Sequence, residues 1–140
     1  MKSINGIIEF AGNEYEYRAK LSTSYRDSYP DRIVDLDCAD GTPLPADIDF
    51  ESLEEMALEN ARLRDWCDCN RWIEEDTGGG CSAFARKCSK GWLRITRHDD
   101  PSCPRTFSDP IAIGRYDADD KLIGECKIFN GGIDQYLKER

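Results

Sequence analysis

Seven cysteines in 140 residues are the first candidates for chemistry, and four of them cluster. Cys67-Asp68-Cys69 is followed by eleven residues and Cys81, then by six residues and Cys88. Zinc takes four ligands in a tetrahedron, and thiolates from two short loops can supply that geometry. Cys67 and Cys69 would form one pair, Cys81 and Cys88 the other, across Gly78-Gly79-Gly80. Arg62, Arg64, Arg71, Arg86 and Lys87 flank them and would lower thiol pKa values and offset a four-thiolate charge. The gaps of one and six residues depart from the usual zinc pairs, which are separated by about two to four. His98, the only histidine, or Cys103 would be the replacement ligand. The same cysteines read equally as small buried apolar groups, or as disulfide or redox thiols.

The carboxylates are the second candidates. The formal charge is −9, and it is unevenly spread. Residues 27–61 hold eleven carboxylates against Arg32 alone: Asp27, Asp31, Asp35, Asp37, Asp40, Asp47, Asp49, Glu51, Glu54, Glu55 and Glu59. Residues 78–97 are the reverse, with Arg86, Lys87, Lys90, Arg94 and Arg97 and no carboxylate. An ordinary soluble surface intersperses both signs. A one-signed stretch is an argument about partners, because it steers oppositely charged surfaces and repels nucleic acid.

Several chemistries are excluded by pattern. Residues 35–41 and 117–121 are acidic but miss the EF-hand register, and read as turns in which Asp accepts local backbone hydrogen bonds. There is no nucleophile elbow, phosphate-binding loop, dinucleotide fingerprint or zinc-protease helix, so no enzyme is expected. No apolar run approaches the ~20 residues that span a bilayer, so no membrane partner is expected. Residues 1–12 lack the apolar core of a secretory signal, which points to a reducing cytoplasm.

These groups need elements to position them. At 140 residues the length fits a single domain over 1–140. Residues 4–10 are β-prone and end at a turn, Ala11-Gly12-Asn13. In 14–21 the alternation is clean: Tyr15, Tyr17, Ala19 and Leu21 against Glu14, Glu16, Arg18 and Lys20. That period of two predicts a half-buried strand and, with its predecessor, a hairpin. A loop over 22–31 and a third strand over 32–37 follow. Phe50, Leu53, Ala57, Ala61 and Arg64 share one helical face, predicting a helix from Phe50 to Asp65 with Asp47 or Asp49 as its cap. Residues 67–76 read as a short helix or an irregular turn, and 82–87 are ambiguous. Strands over 92–97, 111–116 and 122–129 are expected, the last two as a second hairpin, with a long loop over 98–110 and a short helix over 133–140.

The expected fold is α+β: a mostly antiparallel sheet built from two hairpins, one main amphipathic helix and a Cys-rich excursion. In size and acidity the chain resembles the small inhibitors that phages and mobile elements direct against restriction or CRISPR defences. That resemblance implies a non-catalytic, cytoplasmic protein whose acidic side chains occupy a basic, nucleic-acid-binding surface of a partner protein. Asp35, Asp37, Asp40, Asp47, Asp49, Glu51, Glu54, Glu55 and Glu59 would carry that contact if folding gathers them. The alternative is a zinc-stabilised regulatory or nucleic-acid-binding module using Arg86, Lys87, Arg94 and Arg97, and a small Cys-dependent enzyme comes third. Direct nucleic-acid binding is not expected from a chain of net −9.

Overall fold

A two-residue turn starts the fold. Lys2–Phe10 (β1) and Asn13–Leu21 (β2) pair antiparallel from Phe10↔Asn13 back to Lys2↔Leu21. Ala11 and Gly12 both have positive φ, 50° and 83°, as a turn matched to the right-handed strand twist requires. Gly12 adopts this freely, whereas Ala11 bears the Cβ clash of the left-handed region. Arg32–Cys38 (β3) adds to the other side of β2, giving a three-stranded antiparallel sheet in the order β1-β2-β3. These elements belong to a computed structural model that describes residues 2–22 and 30–139. Most of the loop expected over 22–31, including Asp27, lies outside the described residues.

The alternation in β2 sets the core of this first part. Tyr15, Tyr17, Ala19 and Leu21 are buried, while Glu14, Glu16 and Arg18 are exposed. The helix Phe50–Cys69 (α1) lays Leu53, Ala57 and Ala61 into the same core, each fully buried. The two alanines leave room for the tyrosine rings of β2. Tyr17 Oη donates to Asn60 Oδ1 at 2.6 Å, and the same oxygen accepts from Arg64 Nε at 3.2 Å, so the buried amide oxygen is well satisfied. Gly6 faces Tyr17 across the strands, and a Cβ there would sit 2.6 Å from the ring carbon Cζ. Glycine is required so that the tyrosine ring can lie over the backbone. Phe50, expected on the buried face, is instead 45% exposed, because the first residue of the helix precedes the turn that meets the sheet.

Where one domain over 1–140 is expected, the chain divides into two compact units, Met1–Asp65 and Trp66–Arg140. The boundary falls within α1. In the second unit Ile73–Gly78 (β4), Cys81–Cys88 (β5), Gly91–Arg97 (β6), Ile111–Asp117 (β7) and Lys127–Phe129 (β8) form an antiparallel meander in chain order. Gly132–Glu139 (α2) closes the chain. Register places Phe84, Ile95 and Ile113 in one buried row, and Phe129 packs edge-on to Tyr136 of α2 at 5.6 Å. Two expectations change here. Residues 73–76 are strand rather than helix or turn, and the strand expected over 122–129 narrows to 127–129 plus a Tyr116↔Leu122 bridge. Otherwise the fold is the α+β one expected, with hairpins and one main helix, although its strands form two sheets.

No helix among the described residues is long and apolar enough to cross a membrane. If α1 packs on β2 as described, Leu53→Ala will lower stability by about 2–5 kcal/mol, the usual range for a buried leucine. Tyr17→Phe will cost about 0.5–1.5 kcal/mol, the net worth of one hydrogen bond, because Arg64 Nε still donates to Asn60 Oδ1 at 3.2 Å. Urea titration of each variant reads both values. A loss well under 1 kcal/mol for Leu53→Ala would contradict the packing.

Candidate functional site

The cysteine pairs are separated by the elements that carry them. Helix α1 runs four residues past the expected Asp65 end, to Cys69. Side chains two apart on a helix point to different sides, so Cys67 is buried and Cys69 exposed. Cys81 and Cys88 begin and end strand β5. Seven residue steps at ~3.3 Å hold their backbones about 23 Å apart, far beyond a shared ion. The four expected zinc ligands are therefore not brought together. Among the described residues no group of three or more His, Cys, Asp or Glu side chains is placed to hold a metal.

The helix extension has a clear cause. Trp72 N–H donates to Cys67 O at 2.8 Å and Arg71 N–H to Asp68 O at 3.4 Å, with Arg71 at φ 65°. This is a Schellman cap, and its left-handed residue is normally glycine. Here it is arginine, so the stop signal is missing from the sequence. Asn70 helps, its side-chain amide donating to Trp66 O at 2.8 Å.

The carboxylates divide between two surfaces of the first unit. All nine proposed contact residues are exposed. Asp35 and Asp37 lie on β3 with Leu36 buried between them, so they project from the sheet face opposite α1. Glu51, Glu54, Glu55 and Glu59 project from the solvent side of α1. A single patch of nine is not formed, because a strand of period two and a helix packed on its inner face turn their polar sides away from each other. Arg18 pairs with Asp35 on the sheet, and Arg62 Nε binds Asp31 Oδ2 at 3.0 Å. The sheet face also gathers carboxylates outside the 27–61 stretch. Glu16 opposes Asp37 and Glu9 opposes Glu14 in register. Like charges directly opposite are unfavourable, so this end of the sheet is held acidic at a cost. The alternation of β2 was the sequence signal for Glu14 and Glu16.

The helix side forms the more continuous surface. Asp47, Asp49, Glu51, Glu54, Glu55 and Glu59 are exposed, and no Lys or Arg occurs from residue 33 to residue 61. Glu51 to Glu59 spans eight residue steps, or about 12 Å at ~1.5 Å rise. Four carboxylates over that length stand ~4 Å apart on average along the axis, near the ~3.4 Å phosphate spacing along one nucleic-acid strand. Asp49, rather than Asp47, is the cap: it accepts from the Ser52 amide at 3.2 Å and the Ser52 hydroxyl at 2.7 Å. Those two bonds, the hydroxyl first, hold its pKa below the ordinary carboxylate range. Asp40 is lowered likewise by the Thr42 hydroxyl and amide, which makes 38–42 a local turn as expected. The 117–121 segment is also a turn as expected, in which the Asp117 carboxylate accepts from the amides of Asp119 and Lys121.

The basic residues of 78–97 are largely engaged within their own sheet. Arg94 lies in a cleft of about 500 Å³ floored by Ala83, Ala112 and Gly114. Its guanidinium binds Glu75 at 3.0 Å and Asp120 at 3.1 Å, and its carbon stands 4.7 Å from the Tyr116 ring centroid. Burial opposes that charge, but Asp120 and Glu75 outweigh it and raise the pKa. Arg97 reaches Asp99 at 3.9 Å, and Arg86 stands over the Trp72 ring at 6.0 Å. Lys87 is exposed. An array of four cations poised for phosphates is not formed.

The cap makes a pH prediction. Asp49 has a folded pKa below its unfolded value, so its contribution is complete above the unfolded value, ~3.9, and is lost as pH falls through the folded one. Asp49→Ala will therefore be less stable than wild type at neutral pH, with the two urea midpoints converging in acid. A gap that stays constant down to the lowest pH would refute the capping role.

Comparisons with family models, curated proteins and solved structures found no match for this chain.

Proposed function

We propose that this chain is a non-catalytic binding protein that presents the acidic side of α1 to a basic, nucleic-acid-binding surface of a partner protein. The observation that carries the reading is the run Asp47, Asp49, Glu51, Glu54, Glu55 and Glu59, exposed together without an intervening cation. The partition of charge supports it. The first unit has seven basic and fifteen acidic residues, net −8, whereas the second has twelve and thirteen, net −1. A field concentrated on one unit raises encounter rates with a basic surface and is screened beyond ~8 Å at physiological salt.

On this reading Glu51, Glu54, Glu55 and Glu59 stand in for phosphates, and Asp47 and Asp49 extend the row past the start of the helix. Asp35 and Asp37, on the other side of the sheet, are not part of that contact. The protein would act in the cytoplasm as an inhibitor of the kind directed against restriction or CRISPR complexes. It would compete for a channel that otherwise holds nucleic acid.

The test is affinity capture from host lysate at low and high salt, with wild type beside Glu51→Gln/Glu54→Gln/Glu55→Gln/Glu59→Gln. Wild type is expected to retain a basic nucleic-acid-binding protein that is released as salt rises. The quadruple variant should associate at least about tenfold more slowly with that protein, the scale of electrostatic steering. Capture that is insensitive to both salt and the four substitutions would overturn the reading.

A further inference from the structure

A glycine after asparagine or aspartate leaves the side-chain carbonyl open to attack by the next backbone nitrogen, because no Cβ shields that nitrogen. The chain has three such places: Asn5-Gly6, Asp40-Gly41 and Asn130-Gly131. The fold treats them differently. Asn5-Gly6 lies inside the β1–β2 ladder, where Gly6 opposes Tyr17 and is covered by its ring. A five-membered ring cannot close there without breaking the extended ladder. Asp40 is held by the hydroxyl and amide of Thr42, which keep its carboxyl below the ordinary range. It is therefore ionised at neutral pH and a poor acylating group, and Gly41 N–H is tied to Cys38 O at 3.1 Å.

Asn130-Gly131 is open. The β7–β8 ladder ends at Ile111↔Phe129, so both residues lie beyond it, in the turn that leads to α2, and both are exposed. The Gly131 N–H is held by a side chain rather than a strand, donating to Gln135 Oε1 at 2.8 Å. Gln135 thus reaches back one turn to the start of α2, in the manner of a capping box. Just past that bond the helix is seated through its backbone. Gly132, at φ 74°, lies so near residues 107–109 that a Cβ would stand 2.4 Å from Phe107 O, and Asp134 N–H donates to that oxygen at 3.2 Å.

We infer that Asn130 is a self-modification site, converted in the folded protein to aspartate and isoaspartate at a rate set by Gln135. The Gly131 nitrogen loses its proton and attacks Asn130 Cγ. The N–Cγ bond forms, the Cγ–Nδ2 bond breaks and ammonia leaves, giving a succinimide. Water then opens the ring at either carbonyl. Cleavage at Cγ restores the ordinary backbone with an aspartate, and cleavage at the main-chain carbonyl routes the backbone through Cβ as isoaspartate. Water is the only co-reactant. While Gln135 accepts from the Gly131 N–H, that nitrogen keeps its proton, so the cap of α2 is also the brake. The isoaspartyl link adds one methylene to the backbone ahead of Gly131, which loosens the cap and the seat of α2 on Phe107.

The test is incubation of the purified full chain at mildly alkaline pH, folded and in urea, with the tryptic peptides spanning 3–18 and 128–138 followed by fragment mass spectrometry. Asn130 is expected to accumulate both acid isomers in the folded chain while Asn5 stays an amide, and both should convert in urea. Gln135→Ala should speed folded-state conversion of Asn130 about two- to tenfold, the scale of one lost hydrogen bond. Gln135→Glu keeps an acceptor for the Gly131 amide and should restore the slow rate. Asn130 that stays an amide in the folded chain while the urea sample converts, or Asn5 that converts as fast as Asn130 in the folded chain, would overturn the site. An unchanged rate in Gln135→Ala, or a rate in Gln135→Glu equal to that of Gln135→Ala, would overturn the brake.

Discussion

The packing of one face of β2 on one face of α1 is the constraint from which the rest of the first unit follows. Tyr15, Tyr17, Ala19 and Leu21 meet Leu53, Ala57 and Ala61, and the Tyr17–Asn60 hydrogen bond ties the two layers inside the core. Burying that apolar area fixes the polar sides by exclusion. Whatever lies at even positions of β2 faces water on the far side of the sheet, and whatever lies on the outer stripe of α1 faces water on the other. The acidic residues inherit their places from this arrangement. Two coherent surfaces result instead of one, and the helix surface is the one without interspersed cations.

Charge in the second unit is organised differently. Carboxylates and cations there are nearly equal in number, and Arg94 spends its guanidinium on Glu75, Asp120 and the face of Tyr116. An exposed ion pair contributes little, but Arg94 is only 14% exposed and its partners hold it over a floor of alanine and glycine. A basic stretch in sequence thus becomes a set of internal cross-strand ties. The acidic stretch of the first unit has few such ties among the described residues: Arg18 and Arg62 each engage one carboxylate, and no Lys or Arg lies within the helix row.

The cysteines show how one backbone feature decides a candidate site. A Cys-x-Cys pair in a loop can chelate; the same pair on a helix cannot, since its two side chains diverge by more than half a turn. The deciding residue is Arg71, which takes the left-handed position that ends α1. Cys81 and Cys88 are separated just as simply, by the length of the strand between them.

Much of the fold was legible from residue order. The alternation of 14–21, the helical phase of Leu53, Ala57 and Ala61, a cap at Asp47 or Asp49 and the turns at Asp40 and Asp117 are local, because each rests on backbone geometry within a few residues; the structure chose Asp49. The end of α1 was not legible, since a Schellman cap with arginine carries no glycine signal. Strand β4 was not either, because Glu74, Glu75 and Asp76 are edge residues whose charge hides the alternation. The sequence by itself determined which residues are acidic, which are apolar and at what period they recur. Only the tertiary structure decided which carboxylates share a surface and which thiols are kept apart, because those are distances between elements, set by core packing and strand register, that no local pattern encodes.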